Sequence, residues 1–366
     1  METKQSRVKV LIVDDSSTFR WYLQKLFEKD ERFMVIGLAW NGKKALSFME
    51  RQTPDLVTLD IEMPEMDGME TLAEIVKLNS HRAEDQKIQV VMLSSHVGGG
   101  ADFAVRSLDM GAFDAVGKPD PQIGYSNEQF EADFKKKLDA FIESRLPHQE
   151  VQPPLAREVR TTTTRKAKRS FQGILIGAST GGPKALSELL PKLTQVTHLP
   201  IFITLHFPAF FIENLARSLE KKCHRSVVVP DGTELICQDR VYLASGGSHM
   251  VIRISTDREC VGCAEQPPFE GCRPSVNMLF HSAALELGRV IAIVLTGMGN
   301  DGSKSLAHLK RSGSFIIAQD ERTSVVWGMP GCAVKTGLVD EVVALDKIAA
   351  VVERLLADEA AGAKGT

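Results

Sequence analysis

The sequence has no apolar run that approaches the roughly 20 residues needed to span a bilayer, and no apolar segment follows its first residues. Its 44 Lys and Arg residues nearly balance its 47 Asp and Glu residues, which leaves a formal net charge of -3. Such a chain has no broad positive field with which to hold nucleic acid or an anionic membrane. We therefore expect a cytoplasmic protein that neither inserts into membranes nor binds nucleic acid.

Cysteine is also scarce: the 366 residues contain six, and all of them lie in the second half, from Cys223 to Cys332. Without an export signal, reduced thiols are the expected state. Cys260, Cys263 and Cys272 are spaced like part of a zinc site, but a structural zinc site needs four ligands and a fourth is not evident. Free thiols are therefore the favoured interpretation, and zinc binding is the alternative.

The length fits two globular domains, and the first half alternates short apolar runs with helical patterns. Five strand and helix pairs predict a parallel sheet with helices on both faces, and we expect this first domain to comprise residues 1–146. The predicted strands cover residues 8–13, 33–39, 56–59, 88–93 and 113–116.

Residues 147–170 change character, because they contain two prolines in succession, four threonines and a basic run but almost no apolar side chain. This composition predicts a flexible linker. A nucleic-acid-binding arm is the alternative, which the negative net charge of the chain disfavours. A second α/β domain is expected at residues 171–357. The alanine- and glycine-rich tail, residues 358–366, is expected to be disordered.

Polar side chains follow the predicted strands of the first half. Asp14 and Asp15 come after the first strand, Asp60 after the third, Ser94 after the fourth and Lys118 after the fifth. The carboxyl ends of parallel strands meet at one edge of a sheet, so three carboxylates would repel one another there unless Mg²⁺ were bound. Such a site could hold a phosphoryl group, with one carboxylate as its acceptor. An aspartate that only caps the next helix is the alternative.

The first half resembles the receiver domain of two-component response regulators over residues 6–125. The segments that carry the resemblance are Val13-Asp14-Asp15-Ser16, Asp60-Ile61-Glu62-Met63-Pro64-Glu65-Met66-Asp67-Gly68, Leu93-Ser94-Ser95 and Lys118-Pro119. The resemblance implies a flavodoxin-like (βα)5 fold and phosphorylation by a histidine kinase. One departure is Ala115, which stands where many receivers carry an aromatic residue that turns inward on activation.

The same resemblance implies a role for each residue of the pocket. Asp60 would be the phosphorylated residue. Mg²⁺ would be held by Asp15, Asp60 and the main-chain carbonyl of Glu62, with Asp14 assisting through water. Ser94 and Lys118 would contact the phosphoryl oxygens.

In the second half, Gly177-Ala178-Ser179-Thr180-Gly181 closes an apolar run and opens a helical pattern, which is where a nucleophilic serine would be placed. A glycine-rich turn that only packs a helix onto a strand is the alternative. A serine nucleophile needs an imidazole base and a third group that orients it. His206 and Asp301 each follow an apolar strand, so we expect both at the sheet edge that carries Ser179.

The second half, about residues 171–356, resembles the catalytic domain of chemotaxis protein-glutamate methylesterases. The resemblance rests on Gly177-Ala178-Ser179-Thr180-Gly181-Gly182-Pro183, Leu205-His206-Phe207-Pro208, Arg273-Pro274-Ser275-Val276, Thr296-Gly297-Met298-Gly299-Asn300-Asp301-Gly302 and Trp327-Gly328-Met329-Pro330. It implies a doubly wound α/β serine hydrolase that needs no cofactor for hydrolysis. The implied substrates are methylated chemoreceptors, whose glutamyl methyl esters would be hydrolysed and whose glutamines would be deamidated.

The implied catalytic residues are Ser179 as nucleophile, His206 as acid and base, and Asp301 as the orienting carboxylate. Main-chain N–H groups would hold the oxyanion: Met298 by resemblance, and Thr180 by the geometry of the turn. The receiver would cover the serine cleft at rest and release it when phosphorylated. Two departures from the family pattern, Cys272 and Asn277, are expected to alter receptor preference.

Two other classes of output domain are disfavoured. A DNA-binding output would be a compact basic helix-turn-helix module of about half this size. A nucleotide-binding domain would need a P-loop lysine or an acidic partner for a ribose, and neither is in place around Ser179.

Overall fold

The computed structural model describes residues 7–95, 100–145, 170–255 and 258–364. They form two compact units that divide after Asp139, and each unit is described by itself. The predicted boundary at 146 and almost all of the predicted linker, 147–170, fall outside the described residues and remain predictions. No helix in the described ranges has both the length and the apolar character needed to cross a membrane.

The first unit is built on a five-stranded parallel sheet in the order β2-β1-β3-β4-β5. Its strands are β1 Val8–Val13, β2 Phe33–Ala39, β3 Leu56–Asp60, β4 Gln89–Ser94 and β5 Asp114–Gly117. Its helices are α1 Ser17–Glu28, α2 Gly42–Met49, α3 Gly68–Asn79, α4 Gly100–Met110 and α5 Asn127–Ser144, the last of which continues past the division. The predicted (βα)5 fold is confirmed.

Helices α1 and α3 each begin with a side-chain cap, close to the strand ends that carry Asp14, Asp15 and Asp60. Ser16 Oγ accepts a hydrogen bond from Phe19 N at the start of α1. At the start of α3, Asp67 and Glu70 form a reciprocal capping box. Because these caps fix where each helix begins, the chain between a strand end and the next helix stays short and the acidic side chains remain at the sheet edge.

The second unit contains a seven-stranded parallel sheet and a separate three-stranded antiparallel sheet. The large sheet has the order β15-β14-β13-β6-β7-β10-β8, with β6 Ile174–Ala178, β7 Ile201–Leu205, β8 Val227–Val228, β10 Val241–Leu243, β13 Ile291–Val294, β14 Phe315–Gln319 and β15 Glu341–Val343. The small sheet has the order β11-β12-β9, with β9 Thr233–Leu235, β11 His249–Ser255 and β12 Arg258–Ala264. The predicted second α/β fold is confirmed, and the antiparallel sheet is an addition to it.

Strand β6 lies between β7 and β13, so the strand order reverses there and opens a crevice at the carboxyl ends. The helices of this unit are α6 Gly182–Val196, α7 Ala209–Cys223, α8 Val276–Glu286, α9 Leu306–Arg311, α10 Gly328–Lys335 and α11 Ile348–Lys364. The turns after β6, β7 and β13 carry the three residues proposed for catalysis.

The chain end differs from the expectation of a disordered tail at residues 358–366, because α11 continues to Lys364. Alanine is the strongest helix former, so the alanine-rich composition that suggested fraying supports the helix instead. Glu359 also ties this helix to the start of the unit. Its carboxylate accepts a hydrogen bond from Phe171 N at 3.0 Å and pairs with Arg289 at 2.8 Å.

Candidate functional sites

The three aspartates predicted for the pocket of the first unit converge at the carboxyl edge of its sheet. One carboxylate oxygen from each of Asp14, Asp15 and Asp60 lies within 4.8 Å of the others. Lys118 Nζ contacts Asp14 Oδ2 at 2.7 Å and Asp60 Oδ2 at 2.8 Å. Asp14 and Asp60 are buried and Asp15 is exposed, so two acids stand inside the pocket and one at its rim.

Burial raises the pKa of Asp60 to about 6, even though Lys118 acts to lower it. Burial also raises the pKa of Asp14. Lys118 shows the complementary effect: burial disfavours its charge, but Asp14 and Asp60 outweigh burial and its pKa rises. Because one ammonium does not offset the burial of two carboxylates, the pocket favours a further cation. Its oxygen-only donor set suits Mg²⁺.

The other predicted residues of this pocket lie around the aspartates. Ser94 is fully buried at the end of β4, and its carbonyl accepts a hydrogen bond from Lys118 N at 2.8 Å, which joins the ends of β4 and β5. Glu62 is exposed, and its carboxylate accepts from Ser95 Oγ at 3.3 Å. Ala115 is fully buried within β5. A cavity of about 560 Å³ opens beside the aspartates, with Asp15 and Glu62 in its wall.

In the second unit, Ser179 lies on the turn between β6 and α6. Its N–H donates to Thr296 O at 3.0 Å, and its carbonyl accepts from Gly182 N at 2.7 Å. Gly181 has a φ of 77°, and a Cβ there would come within 2.7 Å of the Val325 side chain. The turn therefore requires glycine at this position both for its backbone angle and for the space it leaves.

His206 follows the neighbouring strand, β7, and its N–H donates to Ala178 O at 3.1 Å. Its ring Nε2 lies 2.8 Å from Asp301 Oδ2. With Nε2 engaged, Nδ1 is the ring nitrogen that the contact with Asp301 leaves open. Among the described residues the Ser179 hydroxyl makes no hydrogen bond to His206, and such contacts commonly tighten only when substrate binds.

Asp301 accepts hydrogen bonds from four residues besides His206. The donors other than His206 are Ser275 Oγ at 2.9 Å, Val276 N at 2.7 Å, Asn277 N at 2.9 Å, Asn277 Nδ2 at 2.8 Å and Gly302 N at 2.9 Å. Burial alone would raise the pKa of Asp301, but His206 and these donors outweigh it and lower the pKa. The carboxylate is thus ionised and fixed in place, as a residue that orients an imidazole must be.

Burial alone would lower the pKa of His206, but contacts with Asp301 and Cys272 outweigh burial and raise it to about 9. A protonated imidazole cannot act as a base, so this shift bears directly on catalysis. The raised pKa arises from the carboxylate that contacts the ring and from Cys272.

Two main-chain N–H groups near Ser179 are available to a substrate. Within the described part of the chain, neither Thr180 N nor Met298 N donates to a protein acceptor. Their neighbours are fixed: Gly297 N donates to Val326 O at 2.9 Å, and Thr296 Oγ1 donates to Thr180 O at 3.0 Å. Free donors on a fixed backbone are what an oxyanion hole requires.

Two family models match the chain, one described as CheB methylesterase over residues 174–352 and one as response regulator receiver domain over residues 10–123. A protein-glutamate methylesterase/protein-glutamine glutaminase from Halalkalibacterium halodurans is 36% identical over 359 residues, which cover 94% of this chain and 97% of the relative. The chain belongs to the CheB methylesterase family.

A second relative agrees with this membership. A protein of the same name from Geobacillus kaustophilus is 36% identical over 360 residues, covering 96% of this chain and 99% of the relative. The crystal structure of the Thermotoga maritima CheB methylesterase catalytic domain is 30% identical, with a TM-score of 0.49, and covers 51% of this chain and 99% of that chain. The match to the Geobacillus kaustophilus protein extends over both units of this chain.

Asn277 and Cys272, the two departures of this CheB-family chain from the family pattern, both lie beside Asp301. Asn277 donates its amide to Asp301 and accepts from Ser305 N at 3.0 Å. Cys272 Sγ lies within 4.8 Å of a ring nitrogen of His206 and a carboxylate oxygen of Asp301. An effect of both residues on receptor preference remains a prediction; in the structure their contacts are with Asp301 and, for Cys272, also with His206. The signal that could have identified them is their position around the start of α8, with Cys272 just before the helix and Asn277 in its first turn.

The zinc alternative for Cys260, Cys263 and Cys272 does not fit the structure. Cys260 and Cys263 lie three residues apart on β12, so their side chains point to opposite faces of the sheet. Cys263 Sγ donates to Pro230 O at 3.1 Å, and Cys272 lies beside His206. The three thiols therefore do not share a site.

Proposed function

We propose that this chain hydrolyses glutamyl methyl esters on chemoreceptors, with Ser179 as the nucleophile. Family membership supports ester hydrolysis, because the relatives are named protein-glutamate methylesterases. The observation that supports the assignment of residues is the 2.8 Å contact of His206 with Asp301 at the sheet edge that carries Ser179. The names of the relatives also support deamidation of receptor glutamines by the same site.

In the proposed reaction, Ser179 Oγ attacks the ester carbonyl while His206 Nδ1 takes the hydroxyl proton. Thr180 N and Met298 N donate to the oxygen that becomes negative. His206 then returns the proton to the departing methoxide, so methanol leaves and an acyl-serine remains. Water, activated by the same imidazole, hydrolyses the acyl-serine and restores the enzyme. A glutamine side chain would follow the same steps and release ammonia.

The receiver supports control of this reaction by phosphorylation. Asp60 would accept a phosphoryl group from a histidine kinase, while Ser94 and Lys118 contact the phosphoryl oxygens. Asp15, Asp60 and the carbonyl of Glu62 would hold Mg²⁺, with Asp14 assisting through water. When bound, the ion supplies positive charge that offsets the phosphoryl oxygens. The buried Asp60 carboxylate, with its contact to Lys118, fits the role of acceptor.

Incubation of the purified protein with methylated chemoreceptor in membranes, followed by measurement of released methanol, tests the proposal. Methanol release that depends on Ser179 supports it. Release that is unchanged in a Ser179→Ala variant would show that the nucleophile lies elsewhere. Labelling by a fluorophosphonate, compared between the same two proteins, distinguishes a hydrolase site from a binding site.

A further inference from the structure

Cys272 lies beside the proposed catalytic pair, His206 and Asp301, and the proposed reaction does not use it. Cys272 Sγ, a ring nitrogen of His206 and a carboxylate oxygen of Asp301 all lie within 4.8 Å of one another. Thiolate sulfur, imidazole nitrogen and carboxylate oxygen are the ligands that Zn²⁺ takes in proteins. Ligand atoms on one tetrahedral zinc ion stand roughly 3 to 4 Å apart, so a small adjustment of the side chains would bring the three to a common ion.

Hydrogen bonds hold the Asp301 carboxylate in place, as is usual for a zinc ligand. Metal ligands are commonly fixed by hydrogen bonds from surrounding residues, which orient them before the ion arrives. Asp301 is fixed in this way by Ser275 Oγ at 2.9 Å and by the Asn277 amide at 2.8 Å. The site therefore has one rigid ligand.

Charge and access also favour a divalent cation. A Cys272 thiolate and the Asp301 carboxylate would contribute two negative charges, which match the two positive charges of the ion. Asp301 is buried, whereas Cys272 and His206 are each partly exposed, so a cation can enter from the side of the thiol and the imidazole. Three protein ligands leave one position for water, a pattern seen at zinc sites that are not purely structural.

We propose that His206, Cys272 and Asp301 form a binding site for Zn²⁺, and that zinc binding inhibits ester hydrolysis. A neutral imidazole has one lone pair, because its other nitrogen carries a proton. Whichever nitrogen binds the ion, none remains to take the proton of Ser179. Binding releases the thiol proton and any second proton on the imidazole to water, so zinc affinity rises with pH. The inhibition rests on the proposed esterase function, but the metal binding does not.

The binding is tested first in Ser179→Ala protein, freed of metal and titrated with Co²⁺ as a spectroscopic substitute for zinc. We expect a thiolate-to-cobalt charge-transfer absorption at one equivalent, its loss in the Ser179→Ala, Cys272→Ser double variant, and its displacement by Zn²⁺. The matched control is Cys263→Ser in the same background, which removes a partly exposed thiol elsewhere in the same unit and should leave the absorption unchanged. An absent band, or one that survives Cys272→Ser, overturns the proposal.

The inhibition is tested by methanol release at increasing zinc concentration, each protein being compared with its own zinc-free rate. Cys272→Ser should raise the half-inhibitory concentration at least about tenfold, since even the loss of a supporting residue costs a metal site that much. Cys263→Ser should leave it unchanged. Equal inhibition of the wild-type protein and Cys272→Ser would contradict the proposal. If cobalt binds through Cys272 but no protein releases methanol, the metal site stands and the esterase function fails.

Discussion

Nε2 of His206 lies 2.8 Å from Oδ2 of Asp301, and this contact determines which ring nitrogen of the imidazole is open to the serine. In the serine protease triad the aspartate contacts Nδ1 and the serine faces Nε2. Here the carboxylate holds Nε2, so the proposed proton transfer runs through Nδ1. The two arrangements are chemically equivalent, because either nitrogen of a neutral imidazole can carry the proton.

Replacement of Ser179 by alanine should reduce methanol release by roughly six powers of ten, as loss of the nucleophile does in other serine hydrolases. Ser179 is only 9% exposed and its hydroxyl makes no hydrogen bond among the described residues, so the variant should fold normally. Circular dichroism and the unfolding midpoint serve as controls. A variant that folds and retains appreciable demethylation would refute the assignment of the nucleophile.

The pH dependence of kcat/KM should reflect the pKa of His206, which is raised to about 9. The base must be neutral, so activity increases as the pH rises toward 9 and levels off above it. At pH 7 only about one molecule in a hundred would carry a neutral imidazole, since each pH unit below the pKa is a factor of ten. Rates are measured from pH 6 to 10, with Ser179→Ala as the blank for spontaneous hydrolysis. A plateau already reached by pH 7.5 would contradict this expectation.

Removal of the Asn277 side chain by Asn277→Ala should weaken the support of Asp301. The amide donates to Asp301 Oδ1 at 2.8 Å, and its oxygen accepts from Ser305 N, so the change leaves two buried groups short of a partner. We expect the free energy of unfolding to fall by about 1 to 3 kcal/mol and kcat to fall with little change in KM. Urea unfolding and steady-state kinetics measure the two effects. Unchanged stability and unchanged kcat would show that the amide is dispensable.

Gly297→Ala should abolish activity by crowding the nucleophile. A Cβ at Gly297 would lie 2.7 Å from Ser179 Cβ and 2.7 Å from Met329 Sδ, closer than real side chains pack. Gly232→Ala is the matched control, because a Cβ there meets no atom within 4 Å. We expect fluorophosphonate labelling to be lost in the first variant and kept in the second. Labelling at the wild-type rate in Gly297→Ala would mean that the space around the serine is not limiting.

Asp60→Asn should remove stimulation by acetyl phosphate and Mg²⁺ while leaving the unstimulated rate of ester hydrolysis in place. The amide cannot accept a phosphoryl group, but it is close in size to the carboxylate and can remain near Lys118. Methanol release is compared with and without the phosphodonor in both proteins. Stimulation of the variant equal to that of the wild type would place control outside the receiver pocket.

Strand and helix positions in the first unit could be predicted from the sequence because local patterns decide them. The apolar run of β1 and the capping residues of α1 and α3 can be recognised in the sequence without knowledge of which residues pack against them. The rule that parallel strands end at one edge also predicts that Asp14, Asp60 and Lys118 meet. The helix over residues 358–364 differs from the expected tail; its alanines favour it locally, and Glu359 also contacts Phe171 and Arg289, residues far away in the chain that a local pattern does not reveal.

By itself the sequence determined the two α/β folds, the family, and the strand ends at which Ser179, His206 and Asp301 stand, because these follow from periodicity and motif spacing. Only the tertiary structure decided that Asp301 takes Nε2 of His206, that Ser275 and Asn277 hold the carboxylate, and that Cys272 joins the pair. Those contacts join the segment before α8 and the first turn of α8 to the loops after β7 and β13. Their geometry depends on how the sheet brings these loops together, which no local pattern encodes.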